Sequence, residues 1–365
     1  MQFNRYVYTA AGPADSAVLS FTPSAEEVLI RSLEAALKRF YGTPRSVARL
    51  ARRISPYSTS FTLEELDVKL EDGTRLSLMC KNLGIDSLLP EARRVRPPFL
   101  YAPLREIQMY ERVLDSGEMG TATFYGASCD AESDRYLLFL ERVPSAKLCH
   151  VGDFAVWTHV ARWLGGFHSR LSSRSSALRD DVSLLEYDEK FYHRWLDRAS
   201  ANLDRNNAPT SARRDIAWIR SRYAQVSREL GRLPRTIIHG EFYASNVLVQ
   251  RLNSNSETSI YCRVCPVDWE MAAFAPGLID LAALVSGRWT AEQREHMAMA
   301  YYEASSTLGE YALGLSRGEF LRALEYCRLH LAVQWVGWSA DWSPPDDQAR
   351  DWLREAVAVA RGLEW

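Results

Sequence analysis

No stretch of eighteen or so uncharged apolar residues occurs in this chain, which excludes a membrane-crossing helix of ordinary length. The opening Met1-Gln2-Phe3-Asn4-Arg5 lacks the apolar core of a secretory signal, so the expectation is a cytoplasmic protein with no membrane partner. An excess of one charge is missing as well. Lys and Arg number 44 against 46 Asp and Glu, a net charge of −2, and the pI is about 6.4. That balance excludes non-specific nucleic-acid binding. Arg93-Arg94-Val95-Arg96 forms a small cationic patch and reads as a solvated face. Cysteine is sparse: Cys80, Cys129, Cys149, Cys262, Cys265 and Cys327 are scattered without the pattern of a disulfide-built fold. Cys262 and Cys265 form a Cys-x-x-Cys, but on a strand that spacing sends them to opposite faces, and no second pair follows, which argues against zinc. The Gly-x-x-x-x-Gly-Lys-Ser/Thr signature of one large class of phosphate-handling folds is absent. So are internal repeats, low-complexity segments and any signal of oligomeric state.

What is present is an ordinary globular composition, 47% hydrophobic and 25% charged over 365 residues, long enough for two lobes. The chemistry concentrates between Arg235 and Gly287. Thr236-Ile237-Ile238 reads as a short strand running into His239-Gly240-Glu241-Phe242-Tyr243-Ala244-Ser245-Asn246 and leaving through Val247-Leu248-Val249. A polar loop is thus clamped between two β-branched, apolar runs. After a polar turn, Asn253 to Ser259, a second strand from Ile260 to Val267 delivers Asp268-Trp269-Glu270. A carboxylate, an amide and a second carboxylate are brought close together. Phosphoryl transfer needs such groups, to orient the accepting hydroxyl and to hold the metal ions that neutralise nucleotide phosphates. Glu241 suits the base position, and Asn246 and Asp268 offer the oxygen ligands that Mg²⁺ prefers. Taken singly, each reads as a turn-former or cap; the ordered set carries the inference.

At these residues the sequence resembles the aminoglycoside phosphotransferase and choline kinase branch of the protein-kinase-like enzymes. That family's catalytic loop reads His-x-Asp-x-x-x-x-Asn, followed by an Asp-Trp-Glu type of segment. His239, Asn246, Asp268 and Glu270 match, while Glu241 stands where the family has Asp. Model carboxyl pKa values differ little, roughly 3.9 for Asp and 4.3 for Glu, so basicity is kept and reach grows by one methylene. Pro276-Gly277-Leu278-Ile279-Asp280-Leu281-Ala282 resembles the family's Gly-x-x-Asp-Leu-Ala segment. His239 is expected to brace the loop through backbone, and Asp280 to bond loop amides or cap the following helix.

The resemblance implies an α+β, two-lobed protein-kinase-like fold. Residues 1–45 would be an N-terminal extension with a helix, 46–143 a small nucleotide-binding lobe, and 144–365 a large helical lobe with the catalytic and acceptor sites. After an irregular leader to Pro23, Ser24 and Glu27 make a capping box for a helix from Ala25 to about Tyr41, with Val28, Leu33, Ala36 and Leu37 as its apolar stripe. Extended runs follow at Val47–Ile54, Phe61–Leu70 and Arg75–Leu83, the last two joined by a Glu71-Asp72-Gly73 turn. The glycine-free loop from Ser55 to Ser60 lies in the phosphate-covering position, where Ser58 and Thr59 offer hydroxyls and backbone N–H groups. Lys81 occupies the position of the lysine that contacts the α- and β-phosphates, and Glu106, in a helical run from Leu104 to Leu114, is its partner. Strands at Ala122–Ser128 and Arg135–Leu140 complete the sheet and lead to Glu141-Arg142-Val143-Pro144, which resembles the inter-lobe hinge; there the backbones of Glu141 and Val143 would bond the adenine edge.

In the second lobe, Phe154–Leu171 repeats apolar residues at helical spacing, with Gly165 and Gly166 permitting close approach and His168 in the core. Helices are expected at Tyr187–Asn202, Ser211–Leu230, Ile279–Trp289, Ala291–Leu308, Ser316–Ala340 and Asp347–Leu363. Trp335, Trp338 and Trp342, with Asp341, Asp346 and Asp347 beside them, suit core packing or the stacking of an acceptor. The implied function is transfer of the γ-phosphoryl group of ATP, with GTP the alternative donor, to a hydroxyl of an antibiotic, sugar or amino alcohol, with Mg²⁺. A pseudokinase that binds nucleotide without turnover is the alternative. A protein kinase is disfavoured because no Asp-Phe-Gly and Ala-Pro-Glu segment follows the loop.

Overall fold

Two periodicities divide the chain: alternation near its start builds a sheet, and 3.6-residue spacing later builds a helical mass. The computed structural model describes residues 24–58, 60–114, 119–251, 262–307, 314–338 and 351–363. Thr59, Trp342, Asp341, Asp346, Asp347, the leader to Pro23 and the turn from Asn253 to Ser259 lie outside the described residues.

Helix α1 spans Ala25–Tyr41 with the expected capping box: Ser24 N donates to Glu27 Oε2 at 2.8 Å and Glu27 N to Ser24 Oγ at 3.2 Å. It ends on left-handed Gly42. Strands β1 Val47–Ile54, β2 Leu63–Leu70, β3 Arg75–Asn82, β4 Phe124–Asp130 and β5 Arg135–Glu141 pair antiparallel in the order β1-β2-β3-β5-β4. The β2–β3 turn closes as its residues demand, with Gly73 at φ 89° and Thr74 N donating to Asp72 Oδ1 at 2.9 Å. Leu29, Leu33, Ala36 and Leu37 of α1 are buried against Leu66, Leu78, Leu137 and Phe139 of this sheet. Leu29 takes the place in the stripe expected of Val28. At the contact, a Cβ on Gly126 would lie 2.8 Å from Ala36 Cβ, so only glycine lets the helix settle on β4.

Between β3 and β4 lie α2 Pro90–Val95 and α3 Pro103–Gln108. The helix expected through Leu114 instead widens to a π turn over Met109–Val113, with Leu114 N donating to Met109 O. The extra residue turns Met109, Tyr110 and Val113 all inward, and such π turns often accompany functional sites.

The remainder comprises β6 Ala146–Lys147, α4 Phe154–Ser172, α5 Ser175–Asp181, β7 Leu185–Glu186, α6 Glu189–Arg205, α7 Thr210–Arg220, α8 Tyr223–Arg232, β8 Arg235–Ile238, β9 Val247–Arg251, β10 Cys262–Pro266, β11 Ala273–Pro276, α9 Leu278–Leu284, α10 Ala291–Thr307, α11 Arg317–Trp338 and α12 Trp352–Gly362. Two three-stranded sheets, β10-β9-β6 and β7-β11-β8, flank the loop between β8 and β9. The single helix expected from Ser211 to Leu230 breaks at Ser221 and Arg222. Beyond the break, Tyr223 swings inward and its OH meets His330 Nδ1 at 2.8 Å. Gly165 lets α4 approach α10, since a Cβ there would lie 2.4 Å from Tyr301 O. One apolar core runs from α3 and the π turn through α4, α6, α9 and α11. No described helix is long and apolar enough to cross a membrane.

Candidate active site

The loop from His239 to Asn246 is fixed from three sides before any ligand is considered. The Asp280 carboxylate, wholly buried at the start of α9, accepts from His239 N at 2.7 Å and Gly240 N at 2.9 Å. Asp280 thus bonds the loop amides, as expected. His168, in the core, sits behind it, with Nε2 3.3 Å from Asp280 Oδ2 and Nδ1 2.9 Å from Tyr301 OH. The His239 ring spans the site: Nδ1 accepts from Glu241 N at 3.3 Å, which leaves the proton on Nε2 to donate to Val267 O at 2.9 Å. Burial lowers the pKa of His239, so this neutral tautomer persists at physiological pH. Gly240 adopts φ 84°, and a Cβ there would strike Met271 O at 2.1 Å.

Asn246 closes the loop. Its Nδ2 donates to Glu241 O at 3.1 Å, which leaves Oδ1 as the acceptor atom of this amide. Val267 N donates to Asn246 O at 2.9 Å, so the loop and the end of β10 are laced side by side. Asp268 follows in the left-handed region at φ 71°, ψ 60°. A non-glycine residue there is held against its preference, a mark of functional positions.

Lys81 projects from β3, a central strand of the small sheet, with 12% of its side chain exposed. Its Nζ donates to Glu106 Oε2 at 2.8 Å and to Asp268 Oδ1 at 2.5 Å. Burial opposes the ammonium, but the carboxylates of Asp268, Glu106 and Glu270 more than offset it and hold the lysine pKa above its ordinary value. Glu106, only 2% exposed, also accepts from Trp269 N at 3.2 Å. Lysine, helix and the Asp-Trp-Glu segment therefore form one connected unit, with Asp268 its most open member at 24% exposed.

Glu241 lies half-buried on the same loop. Its carboxyl pKa is pushed up to about 8, first by burial and then by the carboxylates of Glu270 and Asp268, with Arg96 and Lys81 pulling the other way. Arg96 is the residue the sequence reading misplaced. Arg93 and Arg94 are exposed as expected, but Arg96 is drawn inward, 7% exposed, with Nη1 donating to Glu270 Oε2 at 2.9 Å. Pro97 explains the difference: it forces the residue before it to an extended conformation, here φ −69°, ψ 125°, and so ends α2 and turns Arg96 off its surface. The Arg-Pro-Pro run was the available signal. Neighbouring Arg105, buried at the start of α3, pins Glu270 O at 2.6 Å.

The residues expected to face the nucleotide are disposed less uniformly. The Ser58 hydroxyl turns back into its own loop, donating to Ser55 O and accepting from Leu63 N, each at 3.0 Å. The Ser58 hydroxyl is thus engaged by its own loop rather than aimed at a phosphate. Glu141 N donates to Thr123 O at 2.9 Å, so this hinge amide is spent within the sheet. Its carboxylate is taken by Arg263, with Nη1 and Nη2 each at 2.8 Å, a bidentate pair joining β5 to β10. The Val143 carbonyl accepts from Ser145 Oγ at 3.1 Å. On the opposite side, Tyr243 OH accepts from Trp335 Nε1 at 2.5 Å, and Trp335 stacks on Trp352 at 5.5 Å. Trp335 and Trp338 share a face of α11 as the spacing predicts, half-buried rather than sealed in the core.

The donor set suits Mg²⁺. Asp268 keeps Oδ2 beyond its contact with Lys81, and Asn246 offers Oδ1, two hard oxygens of the kind that bind this ion alongside phosphates and water. Among the described residues no three His, Cys, Asp or Glu side chains group as a protein-only metal site.

A family model described as the phosphotransferase enzyme family matches residues 104–321, more than half of the chain. No curated protein matches it. Among solved structures, a mutant aminoglycoside 2'-phosphotransferase in complex with GDP is similar at 13% identity and TM-score 0.53, covering 87% of this chain and 91% of that one. A microcompartment-associated aminopropanol kinase aligns at 13% identity and TM-score 0.54, over 86% and 90%. Choline kinase from Cryptosporidium parvum aligns at 13% identity and TM-score 0.52, over 86% and 87%. At that identity the structural likeness speaks to the fold, an α+β protein-kinase-like architecture.

Proposed function

The chain belongs to the phosphotransferase enzyme family, and from that premise we propose that it moves the γ-phosphoryl group of ATP, with GTP the second candidate, to a hydroxyl of a small molecule. The reading is supported above all by Lys81, whose ammonium bonds both Glu106 and Asp268 and so ties the small sheet to the catalytic-loop segment. Lys81 would grip the α- and β-phosphates. Asn246 and Asp268 would hold Mg²⁺, which when bound neutralises phosphate charge. The hydroxyl oxygen of the acceptor bonds to the γ-phosphorus as the bond to the β–γ bridging oxygen breaks, and that electron pair leaves with ADP. The hydroxyl proton passes to Glu241, whose pKa of about 8 suits a base working near neutral pH.

The acceptor would enter beside Tyr243 and Trp335, where aromatic faces and a hydroxyl suit an antibiotic, a sugar or an amino alcohol. Comparable chemistry is named for the similar aminoglycoside phosphotransferase and aminopropanol kinase. A cytoplasmic setting, where ATP is available, fits this reading. Incubating the protein with ATP, Mg²⁺ and a panel of alcohols from these three classes, with mass detection of an added phosphate, tests it. Transfer to at least one class, lost in Asp268→Asn, is expected. Nucleotide binding with no transfer to any class, or transfer that survives Asp268→Asn, would overturn it.

A further inference from the structure

Two arginines from the segment between β3 and the π turn reach Glu270, and they differ in one respect. Arg105 is satisfied within the protein: Nε donates to Ser183 O at 2.6 Å, and Nη1 to Leu100 O at 3.0 Å and Glu270 O at 2.6 Å. That is how a structural arginine is built in. Arg96, whose side chain is 7% exposed, has one hydrogen bond among the described residues, from Nη1 to Glu270 Oε2 at 2.9 Å, and its buried Nε has no hydrogen-bond partner among them. A buried guanidinium donor left unpaired is costly, and its position explains what it awaits. The Arg96 guanidinium lies over the Phe61 ring at 5.7 Å and Lys81 Nζ over the same ring at 5.4 Å. One buried aromatic side chain, 4% exposed, thus faces two cations. The charges of Glu241 and Asp268 also act on Arg96.

We propose that Arg96 is a further catalytic cation of this site, which turns its unfilled donors to the phosphoryl group as that group passes between nucleotide and acceptor. The inference rests on the phosphotransferase reading above. Charge in such a transfer spreads over three equatorial oxygens. The planar fork of a guanidinium spans two of them, as an ammonium does not. In the free protein Glu270 holds Arg96 in place, so the cation is oriented before the nucleotide arrives.

The test uses ADP·Mg²⁺ as the ground-state probe and ADP·Mg²⁺ with aluminium fluoride as the mimic of a phosphoryl group in flight, both by calorimetry on the full chain. Wild type is expected to gain affinity when fluoride is added. Arg96→Gln is expected to lose that gain, by about 30-fold or more, while ADP·Mg²⁺ binding changes less than about threefold. Arg96→Lys keeps the charge without the fork and should fall between them. Should Arg96→Gln fail to fold, as judged by thermal melting, the lysine variant decides alone. A variant that gains as much from fluoride as wild type, or that loses ADP·Mg²⁺ in equal measure, overturns the proposal. Failure of wild type to bind ADP·Mg²⁺ at all instead overturns the phosphotransferase reading beneath it.

Discussion

Glu241 concentrates the tension of the site in one side chain. Burial of its carboxyl, and then the negative charges of Glu270 and Asp268, raise its pKa to about 8 from an ordinary 4.5. The folded protein therefore binds this proton more tightly than the unfolded chain. The stabilisation is complete below about pH 4.5 and is lost as the pH rises toward about 8. Glu241→Gln removes the ionisation, so in the metal-free protein it should raise stability at pH 8 by about 1–2 kcal/mol. The gain should vanish near pH 4, as chemical denaturation at the two pH values would measure. The same variant should lower kcat by about 100-fold or more, since the proton of the acceptor has nowhere to go. An equal stability difference at both pH values would contradict this account of the site's electrostatics.

At the scale of elements, the β8–β9 loop and the β5–β10 strap carry separate loads. Gly240→Ala places a Cβ against Met271 O at a backbone angle L-residues resist, and should cost about 3 kcal/mol or more in thermal or denaturant unfolding. The strap depends on Glu141, whose pKa falls to about 2, chiefly through its bonds from Arg263. A depressed carboxyl contributes stability above its unfolded value, and loses it as pH drops through the folded one. Glu141→Gln should thus cost about 1–2 kcal/mol at pH 7, after allowance for solvent screening. The cost should shrink as the pH is lowered toward about 2, as a pH series of urea melts would show.

What could be read from the sequence divides along the same line. The order His239, Glu241, Asn246, Asp268 and Asp280 was legible because its chemistry sits on neighbouring loops of one stretch. The capping box of α1 and the β2–β3 turn were legible because their bonds are local. The inward turn of Arg96 was not, since its partner Glu270 lies far along the chain. The π turn and the break between α7 and α8 also escaped, because both answer to packing partners rather than to periodicity. Ser58 shows the converse: a hydroxyl in the right place by spacing, yet engaged by its own loop.

For the molecule as a whole, the site is where the small sheet meets the helical part, and side-chain pairs join the two. Lys81 with Asp268, Arg96 with Glu270 and Glu141 with Arg263 all cross that boundary. A nucleotide bound there should stabilise both parts together: ADP·Mg²⁺ at a hundred times its dissociation constant would add about 2.7 kcal/mol. Lys81→Met should remove most of that gain as read by thermal melting, because it deletes the proposed phosphate contact and leaves Glu106 buried without its cation. The central claim, that Lys81, Glu241, Asn246 and Asp268 act as one phosphoryl-transfer site, is tested most directly by following γ-labelled ATP into an acceptor alcohol. Label should pass to the acceptor with wild type and fail to pass with Asp268→Asn and with Glu241→Gln; undiminished transfer by either variant would contradict it.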